Sequence, residues 1–400
     1  MKDIATAGIA SAAERAASDP SPSGCYRPLE LGGIDPDQGT LLFTDRSQDP
    51  FWDGLLSASR FGQFQQSSGW GAAKSAEGWK LSRFLYQRNE AIAVGFQILW
   101  KNSRFGKIGF ASKGPVVFGQ EKAEWPTAAR QLTRAVRWLG LRALLVQPPD
   151  HGLAAEEALQ AVGFQREKAQ EVIDATLWFD LSGNEADILA RMPGYNRTFI
   201  RQAERRGVRV REGGAADLEL FYDLMIRTCV RQQTKPNPSS LAALKQVWKG
   251  FEADRSMRLT FAEADGEVIA ALTSIRFGDR LTLWKKGWKD GTSKLRPNHL
   301  LYHESLIWAQ RMGCAFCDFY SVRRDIAETL IAGGKPNEEQ SASRDRFHLG
   351  FGGAPQLLPQ SQIYFPNPVI RRVYALGAIL LNAVRKRRSR RRRTAQGDAG

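Results

Sequence analysis

The chain has 400 residues, 42% of them apolar and 25% charged, an ordinary globular balance with enough length for two cores. Its net charge of +15 suits an anionic ligand such as a nucleotide diphosphate, a lipid phosphate or tRNA. Four cysteines in this length exclude a disulfide framework and point to a reducing cytoplasm, and no stretch is apolar and long enough to span a bilayer.

Residues 1–40 are rich in Ala and Ser, carry Glu14 and Arg15, and lack the apolar core of a secretion signal, so they are predicted to be disordered. The next distinctive stretch is Gln66-Ser67-Ser68-Gly69-Trp70-Gly71-Ala72-Ala73-Lys74, followed by Gly78-Trp79. Phe84 and the run from Glu90 to Ile98 then read as a β-hairpin turning at Arg88-Asn89. The same pattern returns 177 positions later, where Phe261 and the run from Glu267 to Ile275 flank a turn at Asp265-Gly266. A further distinctive stretch, Ile108 to Val116, contains Phe110 and Lys113-Gly114-Pro115.

Each half then continues as a helix, a glycine stop and a short apolar strand. The first runs from Pro126 through Trp138 and Gly140 to the strand Ala143–Val146; the second runs from Leu300 through Trp308 and Gly313 to Ala315–Phe319. Helices entering apolar strands imply mixed α/β layers, and the recurrence implies a duplicated unit.

Between the halves, Asp180 to Gly183 leaves a strand and a helix follows. Arg197, Arg201 and Arg205 are spaced by four on one face of it. Trp284-Lys285-Lys286-Gly287-Trp288 interleaves rings and cations, as on nucleic-acid surfaces, although an ordinary strand with alternating faces reads the same way. Cys314 and Cys317 form a lone C-x-x-C, read as two buried strand thiols. A polar loop is predicted from Ser321 to Arg346, before Phe347-His348-Leu349-Gly350-Phe351-Gly352-Gly353. Asn367-Pro368 opens a last apolar helix. It runs into eight basic residues between Arg385 and Arg393, without which the net charge is still +7. A helix with a polybasic end reads as an anchor on an anionic membrane surface, or as a helix packed back on the first domain with a free tail.

These stretches, over about Phe51 to Pro366 and in this order, resemble the FemA/FemB/FemX aminoacyltransferases. The resemblance implies an α/β fold of two tandem N-acetyltransferase-like domains with mixed sheets flanked by helices. It also implies transfer of an amino acid from aminoacyl-tRNA to an amine of a nucleotide- or lipid-linked peptidoglycan precursor, with no cofactor or metal. The implied divisions are a disordered segment at 1–40, a first acyltransferase-like domain at 41–178 and a second at 179–353. A C-terminal segment and helix at 354–384 returns to the first domain or the membrane surface, and a basic disordered tail occupies 385–400.

The resemblance assigns roles residue by residue. Lys74 falls on a lysine that contacts the acceptor's diphosphate, and Arg197 on an arginine that pairs with its phosphate. Phe110 and Lys113 fall in a segment lining the acceptor cleft, where the family has Tyr and Arg. Phe347-His348 falls on a Phe-Lys pair at the catalytic cleft. An imidazole there can donate to an oxyanion or accept a proton from an attacking amine. Lys285 and Lys286 are read as part of a tRNA-facing patch.

Acyl transfer from an activated ester needs placement, deprotonation of the amine and relief of charge on oxygen, but no covalent enzyme intermediate. No G-x-S-x-G is present, and no Gly-rich phosphate loop precedes either repeat's helix. Two alternatives remain at this level. One is an acyl-CoA-dependent or other N-acyltransferase acting on a cell-surface polysaccharide precursor; the other is a non-catalytic precursor-binding protein. The expected location is the cytoplasm, with peripheral contact at the inner face of the membrane as the second reading of the tail.

Overall fold

A computed structural model describes residues 25–30, 37–104, 106–119, 121–167, 172–341 and 345–374. The described residues form two mixed sheets with helices on their faces.

The first sheet is built from β1 (Arg27–Pro28), β2 (Thr40–Thr44), β3 (Lys80–Arg88), β4 (Ala91–Ser103), β5 (Gly106–Ser112), β6 (Val116–Val117), β7 (Ala143–Gln147) and β8 (Gln165–Arg166). Its helices are α1 (Pro50–Ala58), α2 (Ser68–Ser75), α3 (Glu121–Trp138) and α4 (Ala154–Ala161). Asp49 caps α1 by accepting from the Trp52 amide, and Pro50 stands at its first position, where a missing N–H costs nothing. Helix α3 buries Ala128, Leu132, Ala135 and Val136 at helical spacing, and they join Phe84, Phe96 and Leu144 in the first core.

The second sheet comprises β9 (Ala175–Asp180), β10 (Arg209–Gly213), β11 (Met257–Ala264), β12 (Glu267–Phe277), β13 (Arg280–Trp288), β14 (Phe316–Asp318) and β15 (Ala354–Leu357). The helices of this half are α5 (Glu185–Arg191), α6 (Gly194–Arg205), α7 (Leu218–Arg231), α8 (Leu241–Glu252), α9 (Pro297–Arg311), α10 (Arg324–Ile331), α11 (Glu338–Ser341) and α12 (Arg346–Leu349). One face carries a core with Leu300, Leu301 and Leu306 of α9. The other carries Phe221, Leu244 and Val247 of α7 and α8, joined by Phe64 and Ala73 from the first half, so this core belongs to both halves.

The duplication is visible in three dimensions. In each half a hairpin is followed by a third antiparallel strand, a helix and a parallel strand: β3, β4, β5, α3, β7 and β11, β12, β13, α9, β14. The parallel pairs differ. β5 and β7 stay paired from Ile108 to Ser112, whereas β13 and β14 pair only from Arg280 to Thr282 and then separate. After β15 the chain crosses back, and β16 (Gln362–Tyr364) pairs antiparallel with β7 and with β8 in the first sheet.

Several expectations change. The described part of residues 1–40 is ordered: Arg27 and Pro28 pair with β2, and the Tyr26 hydroxyl donates to Asp49. The first hairpin turns at Asn89 and Glu90, both at positive φ, one residue later than the repeat suggested. Helix α3 begins at Glu121 with Pro126 inside it. The basic segment after Asp180 is two helices, broken at Met192-Pro193. The polar loop from Ser321 to Arg346 holds α10 and α11, because Ile326 and Ala327 find a buried face. From Asn367, whose side chain accepts from the Val369 amide, a helix is described over 368–374. The remainder of that helix and the basic tail lie outside the described residues. None of the described helices is long and apolar enough to cross a membrane.

Candidate active site

A cleft of about 1480 Å³ opens between the halves. Its first wall comes from Trp70 and Lys74 of α2, Phe110 of β5 and Leu145 of β7. Its second comes from Thr282, Trp284 and Lys285 of β13 with Asp318 and Tyr320. Ile363, Phe365, Ile370 and Val373 of the returning C-terminal segment form an apolar end.

Helix α2 is fixed by buried polar contacts. Gln66 accepts from the Gln97 amide and donates to the Ser112 carbonyl, and the Trp52 indole donates to the Gln66 carbonyl. Lys74 pairs with Glu77 at 2.8 Å and lies over the Trp70 ring. Trp70 in turn meets Trp284 edge-on at 6.1 Å, so the aromatic wall is continuous across the two halves.

At the cleft floor a buried charge network joins the two sheets. Asp150 receives Lys113 Nζ and Arg280 Nη1, each at 2.5 Å, and the Gln63 side-chain amide at 2.9 Å. Burial alone would raise the Asp150 carboxyl, but Lys113 and Arg280 outweigh it and hold Asp150 well below the usual carboxylate range. Asp318 accepts from Thr176 Oγ1 at 2.6 Å and lies 3.7 Å from Arg280. Burial raises its carboxyl, with Arg280 opposing and Asp150 adding to the rise.

A β-bulge sets what β13 presents. Thr273 pairs with Lys285 while Ser274 pairs with Leu283, leaving Trp284 as the extra residue. Strict alternation would put Lys286 on the same face as Trp284. Instead Trp284 and Lys285 both line the cleft, and Lys286 turns to the opposite face. Lys285 lies over the Trp284 and Tyr320 rings; burial, with Lys74 adding, lowers its ammonium to about 8.

On that opposite face three polar groups converge. Lys286 Nζ donates to Tyr302 Oη at 3.2 Å, and His348 Nε2 lies 3.1 Å from Tyr302 Oη and 3.4 Å from Lys286 Nζ. His348 Nδ1 faces the Ser321 carbonyl at 3.1 Å, so it carries a proton, and Nε2 is the nitrogen turned to Tyr302 and Lys286. Lys286 also sits 4.3 Å over the Phe347 ring, and burial lowers its ammonium to about 7 against a partial rise from Asp345. The two clusters flank the fork where β13 and β14 part.

Of the residues singled out from sequence, Lys74, Phe110, Lys113 and Lys285 line the cleft, Lys113 already engaged by Asp150. Phe347, His348 and Lys286 share the second cluster. Lys285 and Lys286 therefore do not form one exposed patch. Arg197 does not line the cleft: its Nη1 donates to the carbonyls of Leu189, Ala190 and Met192, closing the end of α5. Sequence reading missed Asp150, Arg280, Tyr302 and Asp318, whose partners are distant in the chain. Cys314 and Cys317 are buried in the second core, which pushes the Cys314 thiol up to about 11 and Cys317 well above its ordinary value.

Residues 195–325 match the acetyltransferase (GNAT) domain family. The crystal structure of FemX superposes with a TM-score of 0.68 over 80% of this chain and 97% of FemX, at 15% identity. Two further structures align less closely. L-PGS from Bacillus licheniformis gives a TM-score of 0.48 at 11% identity, covering 80% of this chain and 94% of that one. A tandem GNAT protein from the clavulanic acid biosynthesis pathway gives 0.41 at 14% identity, covering 72% and 84%. No curated protein matches the sequence. The chain thus has the two-domain fold of FemX, with an acetyltransferase-type domain in its second half.

Proposed function

We propose that this two-domain acyltransferase moves an amino acid from aminoacyl-tRNA onto an amine of a diphosphate-linked peptidoglycan precursor. The observation that carries the reading is the single cleft built by both halves, with ammonium groups of Lys74 and Lys285 on one aromatic wall and an apolar end. Such a cleft suits an amphipathic acceptor with a charged linkage. The fork of β13 and β14 is taken as the passage between this cleft and the His348 cluster, since Ser321, whose carbonyl faces His348, follows Asp318 by three residues. In this reading Lys74 and Lys285 meet the acceptor's phosphates. Phe347 and His348 flank the acyl carbonyl, and Lys286 and Tyr302 supply donors for the charge that grows on its oxygen. Placement of amine against ester supplies much of the acceleration.

The test offers purified protein a radiolabelled mixed aminoacyl-tRNA pool or acetyl-CoA, each with a nucleotide-linked and a lipid-linked muramyl-pentapeptide. Label passing from tRNA to the peptide, and lost in His348→Ala, is the expected result. Transfer only from acetyl-CoA would replace the donor, and no transfer from either would overturn the reading.

A further inference from the structure

Among the described residues three carboxylates line the cleft, and two are committed. Asp150 holds Lys113, Arg280 and Gln63, and Glu167 accepts the Tyr374 hydroxyl. Asp318 is built differently. Its Oδ1 accepts from Thr176 Oγ1 at 2.6 Å and from the Tyr320 amide at 2.8 Å, which fixes the plane of the carboxyl group. Its Oδ2 lies 3.7 Å from Arg280 Nη1, beyond hydrogen-bond length. The residue also stands at a singular place in the fold. Thr282 and Asp318 are the last paired positions of β13 and β14, so Asp318 sits at the apex of the fork. Lys285 continues along one lip and Tyr320 along the other, both facing the cleft. Ser321, three residues on, carries the carbonyl that orients His348.

We propose that Asp318 is the catalytic proton acceptor for the attacking amine, acting through Oδ2 at the apex of the fork. The proposal rests on the acyl-transfer reading. The amine nitrogen forms a bond to the acyl carbon and the carbonyl pair moves to oxygen. The nitrogen gives a proton to Asp318 Oδ2. The oxyanion then collapses, the bond to the leaving oxygen breaks with its electron pair, and the proton held by Asp318 goes to that oxygen. Amine and ester become amide and alcohol, with no other reactant.

The surroundings agree with this role. Two carboxylates on one floor are driven apart: Asp150 is kept anionic by Lys113 and Arg280, while burial and the neighbouring Asp150 raise Asp318 against the pull of Arg280. Among the described residues, Tyr320 and Lys285 also face this floor and keep their protons at neutral pH up to about 8, while His151 beside it is lowered to about 4 by burial and Arg280. Asp318 is therefore the carboxylate of this pair with the greater proton affinity, the direction a proton acceptor needs.

The experiment uses the full chain. Asp318→Asn keeps the Oδ1 acceptor for Thr176 and Tyr320 but cannot take a proton. With whichever donor supports transfer, kcat is expected to fall roughly 100-fold or more, with KM within about threefold and the acidic limb of the pH profile lost. Thr176→Val, which removes only a hydrogen bond, keeps that limb. A kcat within threefold of wild type, or a loss that leaves the acidic limb intact, would overturn the assignment. An infrared titration decides independently of donor: a protonated-carboxyl band is expected to persist above the ordinary carboxylate range and to vanish in Asp318→Asn. A band titrating at or below that range would overturn the assignment. Absence of transfer from every donor would instead overturn the acyl-transfer reading on which it rests.

Discussion

Gly69 and Gly250 meet backbone to backbone where α2 of the first half crosses α8 of the second, and a β-carbon on either would collide with the other's carbonyl oxygen. The crossing sets the position of α2, which carries Trp70 and Lys74 to the cleft wall. Gly69→Ala is expected to cost about 1–3 kcal/mol and to weaken acceptor binding by moving that wall. Urea unfolding and a binding isotherm on the same sample check both effects.

Asp150 joins cations from both halves in a buried setting, so removing it strands Lys113 and Arg280 without their partner. Asp150→Ala is expected to destabilise the fold by about 3–5 kcal/mol. Combining it with Arg280→Met should recover part of the loss, because one stranded charge is gone. Additive losses in the double variant would argue against the network.

Arg197 closes the end of α5 through three carbonyls. Arg197→Ala is expected to lower stability by about 1–3 kcal/mol while leaving acceptor affinity unchanged. A loss of affinity at unchanged stability would return Arg197 to the ligand site.

Lys285 and Lys74 predict pH-dependent anion binding. Inorganic pyrophosphate is expected to quench the fluorescence of Trp70 and Trp284, which share the wall with the two lysines. Lys285 loses its proton near pH 8, so wild-type affinity should fall as pH rises through about 8. Lys285→Met should bind about tenfold more weakly and lack that dependence.

Acid stability follows from buried histidines: His303 is lowered by burial, and two others more strongly. Burial lowers His151 to about 4, with Arg280 and Arg60 adding, and lowers His299 to about 4, with Arg296 and Lys286 adding. An unfolded histidine titrates near 6.5, so between those values the unfolded chain binds more protons. Stability is therefore full above about 6.5 and lost as pH falls toward about 4. Each of His151 and His299 accounts for on the order of 1–3 kcal/mol of this fall, reduced by partial solvent access. The raised carboxyl of Asp318 acts in the opposite sense over the low end of the window. Urea midpoints at three pH values should show a shallower slope for His151→Phe than for wild type.

The fold was legible because its signals are local. The pair of hairpins, the glycine stops at Gly140 and Gly313 and the apolar strands after them are all patterns within a few residues, and they repeat. The Lys74 motif was legible as a contiguous string. The turn at Asn89 and Glu90 was misplaced by one residue because the two halves share a pattern without sharing a register. The helices α10 and α11 were hidden by polar composition: α10 turns only Ile326 and Ala327 fully into the core, and the four residues of α11 are all polar.

What the sequence determined by itself is the duplicated α/β unit, since hydrophobic period and turn chemistry act over neighbouring residues. What the tertiary structure decided is which charges meet. Arg197 and Lys113 look alike in the chain, yet one finds helix carbonyls eight residues or fewer away and the other finds Asp150. Lys285 and Lys286 are adjacent, yet a single bulged residue sends them to opposite faces of a sheet. Asp150 and Arg280 are 130 positions apart, as are other partners drawn from both halves. Coulomb and hydrogen-bond energies depend on distance and burial, and neither exists until the two sheets close on one another.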